Sequence, residues 1–217
     1  MTRAAPKKTV TERLRDDILA ATFPPGERLI ELQLTERYAV GRAAVRAAFV
    51  ELATEGLVVH ESNRGATVRR VTIAEAIEII DARTALEGLV ARLAAVRATK
   101  AERTELRTLI TSMVAAVKAG DQKGYGNLNR TLHRRLREMS RHRVIDELVA
   151  NLRNRAAYQQ FRLAAVPGRS ETSLKEHRAI VRAVVAGDGD AAEAAMRRHL
   201  DSVADVLRRW EELGLPG

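Results

Sequence analysis

The chain has 217 residues, with 37 Lys+Arg against 28 Asp+Glu for a net charge of +9, only 3% aromatic residues and no cysteine. The lack of cysteine excludes disulfide frameworks, thiolate catalysis and zinc-finger modules together, and fits a reducing compartment. No apolar run reaches the ~20 residues that cross a bilayer, and no signal peptide opens the chain, so a cytoplasmic protein with no membrane partner is expected.

This length predicts two domains, each with a modest core. Ala, Leu, Val and Arg dominate where aromatics are scarce, the composition of packed helices, so a mainly α fold is expected. The excess positive charge favours an acidic partner, whether nucleic acid, anionic lipid or anionic metabolite. Residues up to Arg70 carry only +3 of the +9, so charge alone does not assign the binding segment.

Residues 1–8 are basic, contain Pro6 and lack apolar periodicity, which predicts a flexible arm. Thr9 or Thr11 can cap a helix with Val10, Leu14, Ile18 and Leu19 at helical spacing, ending near Thr22 before Phe23-Pro24-Pro25-Gly26. A short helix from Glu31 to Tyr38 follows, then Ala39-Val40-Gly41, then a helix from Arg42 to about Glu55 that buries Val45, Ala48, Phe49 and Leu52. Two short helices about three residues apart have helix-turn-helix spacing, in which the second helix enters the major groove. Its first turns carry Arg42 and Arg46 on one face, with no acid between Arg37 and Phe49 to neutralise them. A planar guanidinium can reach guanine O6 and N7 together, or clamp a phosphate. An ordinary solvated helix face also carries such pairs.

Gly56 stops this helix, and Leu57–His60 and Ala66–Arg69 read as two strands of a wing with Asn63, Arg64 and Gly65 at its tip. A glycine there lets backbone approach phosphates, and Arg64 suits the minor groove. Any hairpin turn also prefers Asn and Gly.

The segments Gly26-Glu27-Arg28-Leu29, Leu34-Thr35-Glu36, Val40-Gly41-Arg42-Ala43-Ala44-Val45-Arg46-Ala47-Ala48, Leu52-Ala53-Thr54-Glu55-Gly56-Leu57-Val58 and Arg64-Gly65-Ala66-Thr67-Val68 closely resemble the winged helix-turn-helix of the GntR family of bacterial regulators. The resemblance covers about residues 9–70. It implies operator contacts from Arg42 and Arg46, and a wing-tip role for Gly65. Gly41 stands at the start of the recognition helix where the family usually has Ser or Thr, so a capping hydroxyl and a phosphate contact are missing. Ala43-Ala44 replaces the usual Thr-Pro, and Ala47 the common Glu; these changes are expected to alter operator choice without abolishing binding.

From Thr72 the pattern is helical, with six helices near 73–97, 101–119, 121–140, 143–164, 171–187 and 189–213. Short connections predict an antiparallel six-helix bundle. The domains are therefore read as an arm at 1–8, a winged helix-turn-helix at 9–71, and an all-helical effector-binding and dimerisation domain at 72–217. Ala119-Gly120-Asp121 and Ala186-Gly187-Asp188 each end one helix with Gly and cap the next with Asp.

His133, His177 and His199 lie in line with apolar stripes on three different helices and so point inward. Several buried imidazoles are costly without partners, and one metal would satisfy them together; the alternative is that each is separately hydrogen-bonded. The segments Arg83–Glu87, Asn129–His133, Glu176–Ile180 and Met196–Leu200 resemble the FCD effector domain, over about residues 73–213. In metal-binding members an Asp or Asn four residues before the first histidine joins three histidines, which implies Asn129, His133, His177 and His199 as ligands here. A neutral amide is a weaker ligand than a carboxylate, and zinc, nickel and manganese all fit an imidazole-rich set.

Arg83 falls on an apolar face of the first bundle helix. It is either an anchor for a carboxylate effector or a structural partner of Glu87, one turn along. Asn151, Arg155, Tyr158 and Arg162 form a polar stripe, of which Asn151 and Arg155 are the pocket candidates. The reading is a sequence-specific transcriptional regulator and not an enzyme: a homodimeric repressor on near-palindromic operator DNA, controlled by a small carboxylate at or near the metal. A metal-dependent hydrolase built on the three histidines is the alternative, but no acid is placed as general base, since Glu176 adjoins His177 and points elsewhere. A basic protein that coats nucleic acid would not need buried histidines.

Overall fold

The computed structural model describes residues 8–61, 65–156, 163, 166–210 and 212, and the fold is given for these. They form nine α-helices and three short strands, the mainly α architecture that the composition predicts. The chain divides into two units between Val71 and Thr72, with residues 153–156 grouped with the first. The expected arm lies outside the described residues except for Lys8, which is paired with Asp16 at 2.6 Å.

In the first unit, α1 (Val10–Leu19) begins at Thr9 and not Thr11, because Thr9 and Glu12 form a reciprocal capping box. The helix buries Leu14 and Ile18. Strand β1 (Arg28–Leu29) leads into α2 (Glu31–Tyr38), then α3 (Arg42–Thr54), β2 (Val58–Glu61) and β3 (Gly65–Val68). The sheet order is β1-β3-β2, antiparallel throughout, with Leu29 opposite Ala66 and His60 opposite Ala66 on the other side. One core collects Leu14, Leu29, Leu34, Val45, Phe49, Leu52 and Val68. β1 went unrecognised in the sequence, since two residues carry no periodicity. Its burial of Leu29 nevertheless ties the stretch before α2 to the wing.

The second unit contains six helices among the described residues: α4 (Ile73–Arg97), α5 (Lys100–Lys118), α6 (Gln122–Ser140), α7 (Arg143–Arg155), α8 (Arg169–Ala186) and α9 (Gly189–Arg208). α4 is central and packs on α6, α8 and α9. It can do so closely because Ala76, Ala91, Ala94 and Ala95 are buried on it, facing a partner set that includes Ala192, Ala195 and Ala204 of α9. At Gly88 of α4 a Cβ would stand 3.2 Å from Arg197 Nε, and at Gly189 of α9 one would stand 3.1 Å from Arg92 Cγ, so the two helices approach closely at both glycines.

The expected caps are present: Asp121 accepts from the Gly124 amide at 2.8 Å, and Asp188 from that of Ala191 at 2.9 Å. Arg103 of α5 donates to the carbonyls of Ala95 and Ala98 at the end of α4 and of Val185 at the end of α8, at 3.0–3.2 Å. One guanidinium thus satisfies orphan carbonyls of two helices. The fourth bundle helix runs to Arg155 and Ala156 is in a turn; of the expected continuation to 164 only Leu163 is described, and it is helical, while the last helix stops at Arg208, short of 213. Tyr158 and Arg162 lie outside the described residues.

The turn between α2 and α3 passes through Ala39 at φ 52°. A Cβ in the left-handed region costs about 1–2 kcal/mol, against about 0.4–1 kcal/mol of unfolded-chain entropy gained by glycine's flexibility. Ala39→Gly is therefore expected to stabilise the first unit by up to about 1 kcal/mol, measured as a higher urea midpoint at unchanged slope.

Candidate functional site

On α3, Val45, Ala48, Phe49 and Leu52 are buried, and this leaves Arg42, Ala43, Arg46, Ala47 and Val50 exposed on the other side. Gly41 is the N-cap in extended backbone without a side-chain hydrogen bond, as its lack of a hydroxyl predicts, and a Cβ there would meet nothing within 4 Å. Arg46 is not unneutralised, as the neighbouring sequence implied. Its Nε donates to both carboxylate oxygens of Glu31 at 3.0 Å, an acid supplied by the preceding helix. Arg42 makes no ion pair with a described residue.

Arg64 lies outside the described residues. Gly65, at φ 86°, opens β3, and a Cβ on it would stand 2.8 Å from the Leu29 carbonyl oxygen. Glycine is thus required by the β1–β3 pairing as well as by the turn.

In the bundle, His133 from α6, His177 from α8 and His199 from α9 are 2%, 0% and 4% exposed, and the structure brings them together. Ring centroids are 4.5–5.5 Å apart, and one nitrogen from each lies within 4.8 Å of the others. Each Nδ1 has an outer partner: Glu87 Oε2 for His133 at 2.7 Å, Glu176 Oε2 for His199 at 2.7 Å, and Tyr125 Oη for His177 at 3.1 Å. For His133 and His199 the carboxylate accepts from Nδ1–H and directs Nε2 to act as ligand, the arrangement that fixes the tautomer of metal-binding histidines, while the Tyr125 hydroxyl can donate to or accept from His177 Nδ1. Burial holds the His199 pKa below its ordinary value, against the pull of Glu176, so the ring stays neutral and able to ligate. Burial also pushes the Tyr125 phenol up to about 12.

The two carboxylates are themselves held. Glu87 Oε1 accepts from Arg83 Nε at 2.7 Å, with both side chains buried. Glu176 pairs with Arg169 at 3.2 Å, and Arg169 also donates to Ser202 at 3.2 Å. Burial raises the Glu176 pKa, but the bonds from His199 and Ser202 outweigh it and leave the carboxyl lowered. Two arginine–carboxylate–imidazole relays therefore flank the cluster. Sequence reasoning missed the second, because Glu176 reaches not its neighbour His177 but a histidine on the next helix. It also missed Tyr125 and Arg169, for which no local signal exists.

Asn129 is one turn before His133 on α6, and its Oδ1 is buried without a hydrogen-bond partner. Such an orphan costs about 1–3 kcal/mol, so the residues present fit a cation or a bound water at this cluster. For Arg83 the structural pair with Glu87 is formed. Asn151 and Arg155 are half-buried near the end of α7, Arg155 being grouped with the first unit and not with the bundle.

The model of the bacterial regulatory proteins of the gntR family matches residues 6–68, and that of the FCD domain residues 78–202, more than half the chain. The chain belongs to the GntR family and carries an FCD domain. Among similar proteins, the HTH-type transcriptional repressor RspR of Escherichia coli K12 is 29% identical over 199 residues, which cover 90% of this chain and 86% of that one. The HTH-type transcriptional regulator LutR of Bacillus subtilis is 27% identical over 209 residues, 87% and 94% of the two chains. The solved structure of E. coli McbR/YncC has the same fold, with a TM-score of 0.82 at 21% identity over 93% of this chain and 96% of that one. This GntR-family chain is a transcriptional regulator and not an enzyme, and the hydrolase alternative is not carried further. No helix among the described residues is long and apolar enough to cross a membrane.

Removing one member of a buried ion pair strands the other, at a cost of about 3–5 kcal/mol. Glu87→Ala in this GntR-family regulator is expected to destabilise the bundle by that amount in chemical denaturation. A loss below about 1 kcal/mol, the scale of an exposed pair, would show that Arg83 does not depend on Glu87.

Proposed function

We propose that this regulator is a repressor that binds a near-palindromic operator as a cytoplasmic homodimer. Its DNA contacts come from α3, through Arg42, Arg46 and the helix start at Gly41, and from the wing at Arg64 and Gly65. A small carboxylate, held at or near a divalent ion in the bundle, controls it. Residues 9–71 are the reading domain and 72–217 the sensing and dimerising one.

The observation that carries the sensing half is the buried trio of histidines whose Nδ1 atoms all face outer partners, beside an orphaned amide oxygen. His133, His177, His199 and Asn129 would hold zinc, nickel or manganese, and such an ion would offer open positions to carboxylate oxygens. Three imidazoles and an amide are all neutral, and each outer carboxylate is matched by an arginine, so an anion is the ligand that balances a divalent charge there. Arg83 and Asn151 are the groups of the bundle proposed to take part in holding that anion. The reading half is supported by the exposed arginine face of α3 in a family of DNA-binding regulators.

Nuclease footprinting on the DNA upstream of its own gene is expected to give a short bounded site, and Arg46→Ala to weaken that complex by about 1–3 kcal/mol. Uniform protection, or an unchanged affinity in the variant, would refute the reading half. For the sensing half, a ligand present at a hundredfold over its Kd stabilises the native state by about 2.7 kcal/mol. Dialysis against a chelator is thus expected to lower the melting temperature, with recovery on adding zinc, nickel or manganese. His177→Ala should abolish the metal-dependent shift; a melting curve indifferent to chelator and metals would remove the ion from the account.

A further inference from the structure

We infer that Glu31 is a positioning residue for base recognition: it braces Arg46 through Nε so that the terminal fork of the guanidinium reads a guanine edge in the major groove. The inference rests on the proposal that α3 faces DNA, and it assigns the chemistry of that contact.

Both oxygens of Glu31 accept from Arg46 Nε at 3.0 Å, while Nη1 and Nη2 donate to no described residue. The arginine side chain is 62% exposed and the glutamate 21%, so the brace sits at the base of the side chain with the fork beyond it. An unsupported arginine samples many rotamers, and most of them satisfy a phosphate. Reaching guanine O6 and N7 together requires the plane of the fork to be fixed. Glu31 can fix it because it occupies the first position of α2, a helix anchored by buried Leu34 and Tyr38.

The rest of the α3 surface narrows the choice. Of the exposed residues in its first turns, Arg42, Ala43, Arg46, Ala47 and Val50, only the arginines can hydrogen-bond a base. Arg42 has no ion-pair partner among the described residues and is suited to a phosphate, whereas Arg46 is held as a reader. An acid at a surface that meets DNA repels phosphates and lowers affinity for every sequence. Its placement against Arg46 therefore gains discrimination at the expense of strength. Glu31 also stands where a negative charge favours the N-terminus of α2, a role that would not touch sequence preference.

The test compares full-length variants on an operator selected by the wild type from randomised duplexes, and on a random duplex of equal length, at one salt concentration. Glu31→Ala is expected to lower the preference for operator over random duplex about tenfold, within the range of one bidentate base contact, with random-duplex affinity unchanged or stronger. In an Arg46→Ala background the same change should leave the preference where Arg46→Ala put it. Glu31→Gln, which keeps an acceptor without the charge, is expected to lose about threefold, and it decides the matter alone if Glu31→Ala does not fold. Undiminished preference in the Glu31 variants, with loss in Arg46→Ala, overturns the brace. If Arg46→Ala itself binds the operator like wild type, the DNA-reading proposal for Arg46 falls, and the brace with it.

Discussion

Withdrawing a polar ring nitrogen from water without a partner is costly, and this bundle withdraws three imidazoles at once. Glu87 is the group that makes this tolerable on one side. Its two oxygens divide between Arg83 and His133, so one carboxylate neutralises a buried cation and sets a buried tautomer. Glu176 also joins an arginine to an imidazole, but through a shared oxygen: its Oε2 accepts from both Arg169 and His199. The positions of α4, α6, α8 and α9 relative to one another are constrained by these bonds as well as by apolar contact, because each relay crosses from one helix to another. Misplacing either carboxylate would strand charge in a medium that screens it poorly.

The first unit uses polar contacts differently. Its core is largely apolar, with no buried ion pair among the described residues, and Arg15 of α1 grips Glu55 just beyond α3 while Arg46 meets Glu31. The Arg15–Glu55 pair is partly buried, and the Arg46 side of the other pair is exposed, where an ion pair adds little stability. They do set the direction of long side chains, which matters where a surface must match a partner. The same element of chemistry, arginine against carboxylate, thus organises the interior of one unit and the surface of the other.

Much of this was legible in the sequence. Glycine followed by aspartate marked two helix junctions, the inward period of His133, His177 and His199 foretold their burial, and the spacing around Ala39-Val40-Gly41 gave the two-helix reader. What stayed hidden depends on proximity between segments distant in the chain. Glu31 lies outside any local window around Arg46. Glu176 was judged by its neighbour His177, although its partner is 23 residues away on α9. β1 is too short to leave a pattern and exists because the wing offers it a ladder. Arg83 was recognised as out of place, and both explanations for it invoked an anion; only the fold shows that Glu87 takes Nε.

The seam at Gly88 has a mechanical consequence. At Gly88 α4 lies against the side chains of Arg197 and Glu193 of α9, and buried alanines lie on both helices elsewhere. A side chain brought to position 88 by sliding one helix along the other would have to displace those two side chains by a few tenths of an ångström or more. Buried alanines have no rotamers to exchange, so the close-packed parts of this seam resist a change of register more than a surface of long side chains would.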